Sequence, residues 1–264
     1  MLQILSIFFY LAATLLLVQR LRGGPQPGPR LRPLALGLAF LGVLGHGVSV
    51  YQAIAIPAGL DLEFFNVLSL IALFITLLLV AAATTRPLEN LGIPILPLAA
   101  VALLLQMAGS GPPDLVSDSI GVQLHILLSI LAYALLSLAA VQALLLAIQD
   151  HYLRSRQPAG FIRALPPLET MESLLFQMIG AGFLLLTAAL ISGVHFIDDI
   201  FAQHLVHKTT LSIVAWAVFA GLLAGRWRFG WRGRKAIRWT LTGIAVLAAA
   251  YLGSKLVLEL ILHR

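Results

Sequence analysis

The chain has 264 residues, 60% of them hydrophobic and only 11% charged, and its mean hydropathy is strongly positive. That composition excludes a soluble globular domain, and the absence of cysteine excludes disulfides, thiolate metal sites and thiol exchange. The net charge of +6 does not mark a nucleic-acid binder, because the arginines lie in short stretches between apolar segments and not on one folded basic face.

Crossing about 30 Å of hydrocarbon takes about 20 residues. On that ruler the apolar segments fall at roughly 2–18, 34–54, 65–84, 93–108, 121–148, 176–198, 207–225 and 239–260. The expected fold is therefore an all-α, polytopic membrane helix bundle of about eight transmembrane helices. Because no soluble insertion or visible repeat interrupts it, 1–264 reads as a single integral-membrane domain.

The first segment is followed, not preceded, by Arg20 and Arg22, so it reads as a retained helix with its N-terminus outside and not as a signal peptide. A Gly/Pro linker, Gly23-Gly24-Pro25-Gln26-Pro27-Gly28-Pro29, leads to the second segment, where Gly42, Gly45 and Gly47 surround His46. Those glycines would let either a neighbouring helix or a flat ligand approach the backbone. Asp61 and Glu63 precede the third segment, where the positive end of a helix favours acids. The fourth segment is short and holds Pro94 and Pro97, which predicts a kinked or partly re-entrant element.

The fifth segment opens after Pro112-Pro113-Asp114, with Asp118 and Ser119 as candidate N-caps and His125 in its first turns. An ionisable side chain at the mouth of a membrane helix is a site hypothesis. After the long connector carrying His151, Arg154 and Arg156 comes the sixth segment, followed by Ser192-Gly193-Val194-His195-Phe196-Ile197-Asp198-Asp199 and then His204, His207 and Lys208. Between the last two segments, Arg226-Trp227-Arg228-Phe229-Gly230-Trp231-Arg232-Gly233-Arg234 interleaves aromatic rings and cations, the composition of a membrane-interface belt against anionic lipid.

Orientation follows from the cations. Fourteen of the seventeen Lys and Arg residues fall in alternate loops, and only Lys208, Lys255 and Arg264 lie on the opposite side. The positive-inside rule then places both termini outside the cytoplasm. Six of the seven histidines, all except His151, come to the outer half, which suggests a site using neutral imidazole as a ligand. Two ligand classes fit: haem, whose flat apolar face suits a groove between helices, and a bare metal ion held by His195, His204, His207, Asp198 and Asp199.

The run Gln123-Leu124-His125-Ile126-Leu127-Leu128-Ser129-Ile130-Leu131-Ala132-Tyr133-Ala134 resembles the periplasmic histidine and following helix of the CcsA/CcmC-type cytochrome c assembly family. Gly180-Ala181-Gly182-Phe183 with Ile191-Ser192-Gly193, Trp216-Ala217-Val218-Phe219, and Trp231-Arg232-Gly233-Arg234-Lys235-Ala236 continue the resemblance in order. In the N-terminal half, His46 and Asn66-Val67-Leu68-Ser69 fall where the family has a membrane histidine and an Asn-containing helix start. The similarity extends over nearly the whole chain, towards a short eight-helix subgroup.

The resemblance implies a bacterial inner-membrane protein that binds haem, as non-covalent haem b, and passes it to apocytochrome c or other assembly proteins. It implies His125 as axial ligand, His46 as second candidate, and His195 at the start of the outer loop. Two departures stand out. No tryptophan lies between His195 and Lys208, where the family has a tryptophan-rich haem-presenting surface, and Lys255 stands near the position of the second periplasmic histidine. Lys255 is expected to pair with a haem propionate, to ligate iron, or to snorkel to the interface beside Glu259. No nucleophile–base pair, phosphate loop or intramembrane acid pair suggests an enzyme. A scaffold retaining the fold without haem is the alternative, and metal-ion binding or transport the third reading.

Overall fold

The computed structural model describes residues 1–22, 30–57, 59–109, 115–116, 119–155, 165–196 and 206–250. Its helices are α1 (Leu2–Arg22), α2 (Leu31–Ile54), α3 (Phe64–Thr85), α4 (Gly92–Ala108), α5 (Ile120–Arg154), α6 (Leu168–Phe196), α7 (Val206–Phe229) and α8 (Arg234–Ala248). Among the described residues seven helical stretches are long and apolar enough to cross a membrane. The chain is thus a polytopic helical membrane protein. Of the expected eighth span, 239–260, the part beyond residue 250 lies outside the described residues.

The fourth segment differs from expectation. A 3-10 turn at Glu89–Leu91 runs directly into α4, and together they make a 20-residue stretch able to span. Pro94 falls in the first turn, where the missing N–H costs nothing, whereas Pro97 lies inside the helix.

Met1–Leu115 and Ile148–Thr170 form one compact unit. In it α1 packs on α2 and α4, while α3 packs on α2 and α4. Tyr10, Ala13 and Leu17 of α1 recur at helical spacing and meet Ala35, Ala39 and Val43 of α2, with Leu96, Ala99, Ala100 and Leu103 of α4 completing the core. Small residues permit the close approach: a Cβ on Gly42 would stand 2.7 Å from the Tyr10 ring, and one on Gly45 would overlap Ser6. Gly42 and Gly45 therefore receive α1, while Gly47 faces Leu73 of α3. Opposite faces present Phe8, Leu15 and Leu98 outward, as lipid contact requires.

After α2 a short antiparallel pair, β1 (Ala55–Ile56) and β2 (Gly59–Asp61), turns the chain at Gly59, whose φ of 130° favours glycine. This turn delivers Asp61 to the start of α3. At the other end of the helices, Glu89 Oε1 accepts from Arg20 Nη1 at 2.8 Å and lies 3.5 Å from Arg32 Nε.

Val116–Ala147 and the chain from Met171 onward form the second unit. Gln142 Nε2 of α5 donates to the Met171 carbonyl at 2.9 Å, and Gly182 of α6 lies against Leu136 of α5. The Trp216 indole N–H of α7 donates to Thr187 Oγ1 at 2.9 Å while its ring stacks on Phe183. Helix α7 closes with a glycine αL cap. Trp231 N–H bonds to Gly225 O and Gly230 N–H to Arg226 O, with Gly230 at φ 63°. The turn brings Glu172 of α6 between two cations, Arg226 Nη1 at 2.8 Å and Arg232 Nε at 3.1 Å.

Candidate functional site

His125 sits near the start of α5. The carbonyl of Ser119 accepts the N–H of Gln123, which fixes the first turn just before it. Its Nδ1 lies 2.9 Å from the carbonyl oxygen of Ala189 and 3.1 Å from Ser192 Oγ, both on α6. A carbonyl only accepts, so in the neutral ring Nδ1 carries the hydrogen and Nε2 the lone pair. Among the described residues nothing hydrogen-bonds Nε2. Gly193, one turn beyond Ala189, leaves room for the flat ring: a Cβ there would stand 3.0 Å from Cε1. The Ser192 hydroxyl donates to the same Ala189 carbonyl at 2.8 Å.

This is the arrangement that a metal-bound histidine uses, one nitrogen held by an outer hydrogen bond and the other left to coordinate. A neutral imidazole presented in this way is a donor that a haem iron would accept.

His46 is placed differently. It is fully buried in the Met1–Leu115 unit, with Nδ1 3.0 Å from the Tyr10 hydroxyl and Nε2 2.9 Å from Ser69 Oγ. Both ring nitrogens are engaged, so a metal reaches this ring only by displacing one partner. Ser69 continues to Gln106 Oε1 at 3.0 Å, and Gln106 Nε2 to Asn66 Oδ1 at 3.0 Å. Tyr10, His46 and Ser69 are 0% exposed, Asn66 6% and Gln106 8%.

His195 is exposed at the end of α6, its ring edge-on to Phe196. Lys255, His204, Asp198 and Asp199 lie outside the described residues, as does the side chain of His207. Among the described residues no three His, Asp or Glu side chains gather as a metal-ion cluster. Arg226 and Arg232, which the sequence assigns to lipid, are engaged by Glu172, while Trp227 and Phe229 remain exposed beside Arg228.

Sequence reasoning missed Tyr10 as a partner of His46, Gln106 as the amide next to Ser69, and the two glutamates that each gather a pair of arginines. The signals were faint but present. Gln106 is a lone amide directly after the apolar run Leu103-Leu104-Leu105, Glu89 is a lone acid beside a membrane segment, and Glu172 follows Glu169 at the start of another.

A bundle of apolar helices in which His46 and His125 are held by interhelical hydrogen bonds defines a polytopic helical membrane protein. The chain belongs to the Cytochrome C assembly protein family, whose match covers residues 36–262. It is 34% identical over 238 residues to inner membrane protein YpjD of Escherichia coli (strain K12), covering 87% of this chain and 88% of that one. It is also 34% identical over 198 residues to an uncharacterized 28.8 kDa protein of Azospirillum brasilense, covering 73% of each. Cytochrome c biogenesis protein CcsA of Prochlorococcus marinus (strain NATL1A) is 34% identical over 110 residues, 41% of this chain and 34% of that protein. No solved structure gives a significant match.

Proposed function

We propose that this protein is a haem-handling inner-membrane protein of cytochrome c biogenesis, with His125 as the axial ligand through Nε2. The observation that carries the reading is the hydrogen bond from His125 Nδ1 to the Ala189 carbonyl at 2.9 Å, which sets the tautomer and orients the ring. Haem b, when bound, supplies an iron that takes imidazole. The protein supplies the ring, its fixed tautomer, and the space kept open by Gly193. His46 is the second candidate and ligates only after a hydrogen-bonding partner releases it; His195 and Lys255 remain candidates for contacts at the edge of the haem.

In this reading 1–264 is one integral-membrane assembly domain with eight spans and both termini outside the cytoplasm, supported by fourteen of seventeen cations in alternate loops. It is not an enzyme: it holds haem near the outer leaflet and yields it to apocytochrome c or to other assembly proteins. The relatives' names, an inner membrane protein and a cytochrome c biogenesis protein, support the compartment and the pathway.

The test is an absorption spectrum, oxidised and reduced, of protein purified in mild detergent from haem-replete cells, with iron and zinc measured on the same sample. A Soret band that His125→Ala removes and His151→Ala leaves intact is expected. Equal haem in both variants removes His125 from the site. A colourless, iron-free sample favours the scaffold reading, which the missing tryptophans between His195 and Lys208 support, and zinc without haem favours the metal-ion reading.

A further inference from the structure

Seven polar side chains in the Met1–Leu115 unit form one series that stitches together four helices: Thr76, Tyr10, His46, Ser69, Gln106, Asn66 and Asp61. Its hydrogen positions can be deduced from one end. Asp61 Oδ2 faces Asn66 Nδ2 at 3.3 Å, and Oδ1 accepts the Glu63 N–H at 3.1 Å. Turning the Asn66 amide over would set its oxygen against the carboxylate, so the anion selects one amide orientation.

Everything further in then follows. Asn66 Oδ1 accepts from Gln106 Nε2, which leaves Gln106 Oε1 to accept from the Ser69 hydroxyl. That hydroxyl has one hydrogen and has spent it, so towards His46 it can only accept. His46 Nε2 must therefore carry a proton, and the neutral ring keeps its lone pair on Nδ1, which takes the Tyr10 O–H at 3.0 Å. Each donor from Tyr10 to Asn66 points the same way, towards Asp61, and aligned hydrogen bonds of this kind polarise one another.

We infer that Asp61 is a positioning residue that acts through Asn66, Gln106 and Ser69 to hold His46 as the Nε2–H tautomer, with its only basic nitrogen closed off by Tyr10. The chain transmits orientation, not protons, because two of its links are amides, which neither gain nor lose a proton readily. A proton, metal ion or iron centre that reaches His46 thus meets Nδ1 alone, and must first displace the Tyr10 hydroxyl. This inference concerns His46 and stands whether or not His125 binds haem.

The experiment is nitrogen-15 NMR of the full chain in detergent with labelled histidine, the His46 signals being identified by their loss in His46→Gln. The expected result is a hydrogen one-bond coupled to Nε2 and an unprotonated Nδ1. In Asp61→Asn the terminal group can donate as well as accept, and the Nε2–H population is expected to fall to roughly half. Adding Gln106→Glu places a carboxylate directly on the Ser69 hydroxyl, and the Nε2–H form is expected to return. A His46 protonated at Nδ1 in the unsubstituted chain overturns the inference. So does a folded Asp61→Asn variant with an unchanged tautomer, since a merely structural Asp61 would alter stability and leave the tautomer alone.

Discussion

Gly193 of α6 lies under the imidazole of His125, so close that a Cβ would stand 3.0 Å from Cε1 and 3.3 Å from Nδ1. The ring must give by a few tenths of an ångström if a methyl group is added. Gly193→Ala is therefore expected to weaken haem binding by about tenfold, the scale of disturbing an outer hydrogen bond to a metal ligand. Gly180→Ala, on the same helix with nothing within 4 Å, is expected to bind as the parent does. Haem titration followed at the Soret band compares the two.

The contact between α1 and α2 makes a second prediction. Gly42→Ala puts a methyl group 2.7 Å from the Tyr10 ring and is expected to cost about 1–3 kcal/mol by overpacking. Gly37 of the same helix faces open space, and Gly37→Ala is expected to gain up to about 1 kcal/mol from helix propensity. Thermal unfolding in detergent should lower the first variant's midpoint and not the second's.

Glu172 serves Arg226 in the last turn of α7 and Arg232 just beyond it, whereas Asp150 pairs with Arg154 on the exposed surface of α5. Removing the Glu172 charge leaves Arg226 and Arg232 facing one another, so Glu172→Gln is expected to destabilise by about 2 kcal/mol, with the partial exposure of both arginines limiting the loss. Asp150→Asn is expected to cost no more than about 0.5 kcal/mol. Equal unfolding midpoints for these two variants would show that the Glu172 cluster adds no more than a surface pair.

The chain lacks cysteine, which makes its orientation directly measurable. Lys208→Cys is expected to react with a membrane-impermeant maleimide in intact cells after opening of the outer membrane. Arg86→Cys is expected to react only once the inner membrane is also permeabilised. The reverse pattern would invert the proposed topology, and with it the side on which His125 lies.

Much of the architecture was legible from residues alone. The first three apolar segments match α1, α2 and α3 to within four residues at each end, because hydropathy summed along a stretch decides whether it leaves water. The fourth was read too short because the 3-10 turn at Glu89–Leu91, with its polar Glu89 and Asn90, does not look like the beginning of a span. His125 was legible as a candidate because a histidine at a helix mouth is conspicuous. That its Nδ1 would be taken by the Ala189 carbonyl was not, since a backbone acceptor has no signature in the side-chain sequence.

Sequence by itself determined that the chain is helical, apolar and membrane-spanning, where its cations lie, and which family it resembles; these are local or additive properties. Only the tertiary structure decided who partners whom. Tyr10 meets His46 across 36 residues, Gln106 meets Asn66 across 40, and Arg226 meets Glu172 across 54. Each pairing depends on how far every helix is rotated and shifted along its neighbour, which the packing of small residues such as Gly42 and Gly182 sets. A buried polar group takes whichever partner that packing brings within about 3 Å, and leaving it without one is costly in the membrane interior.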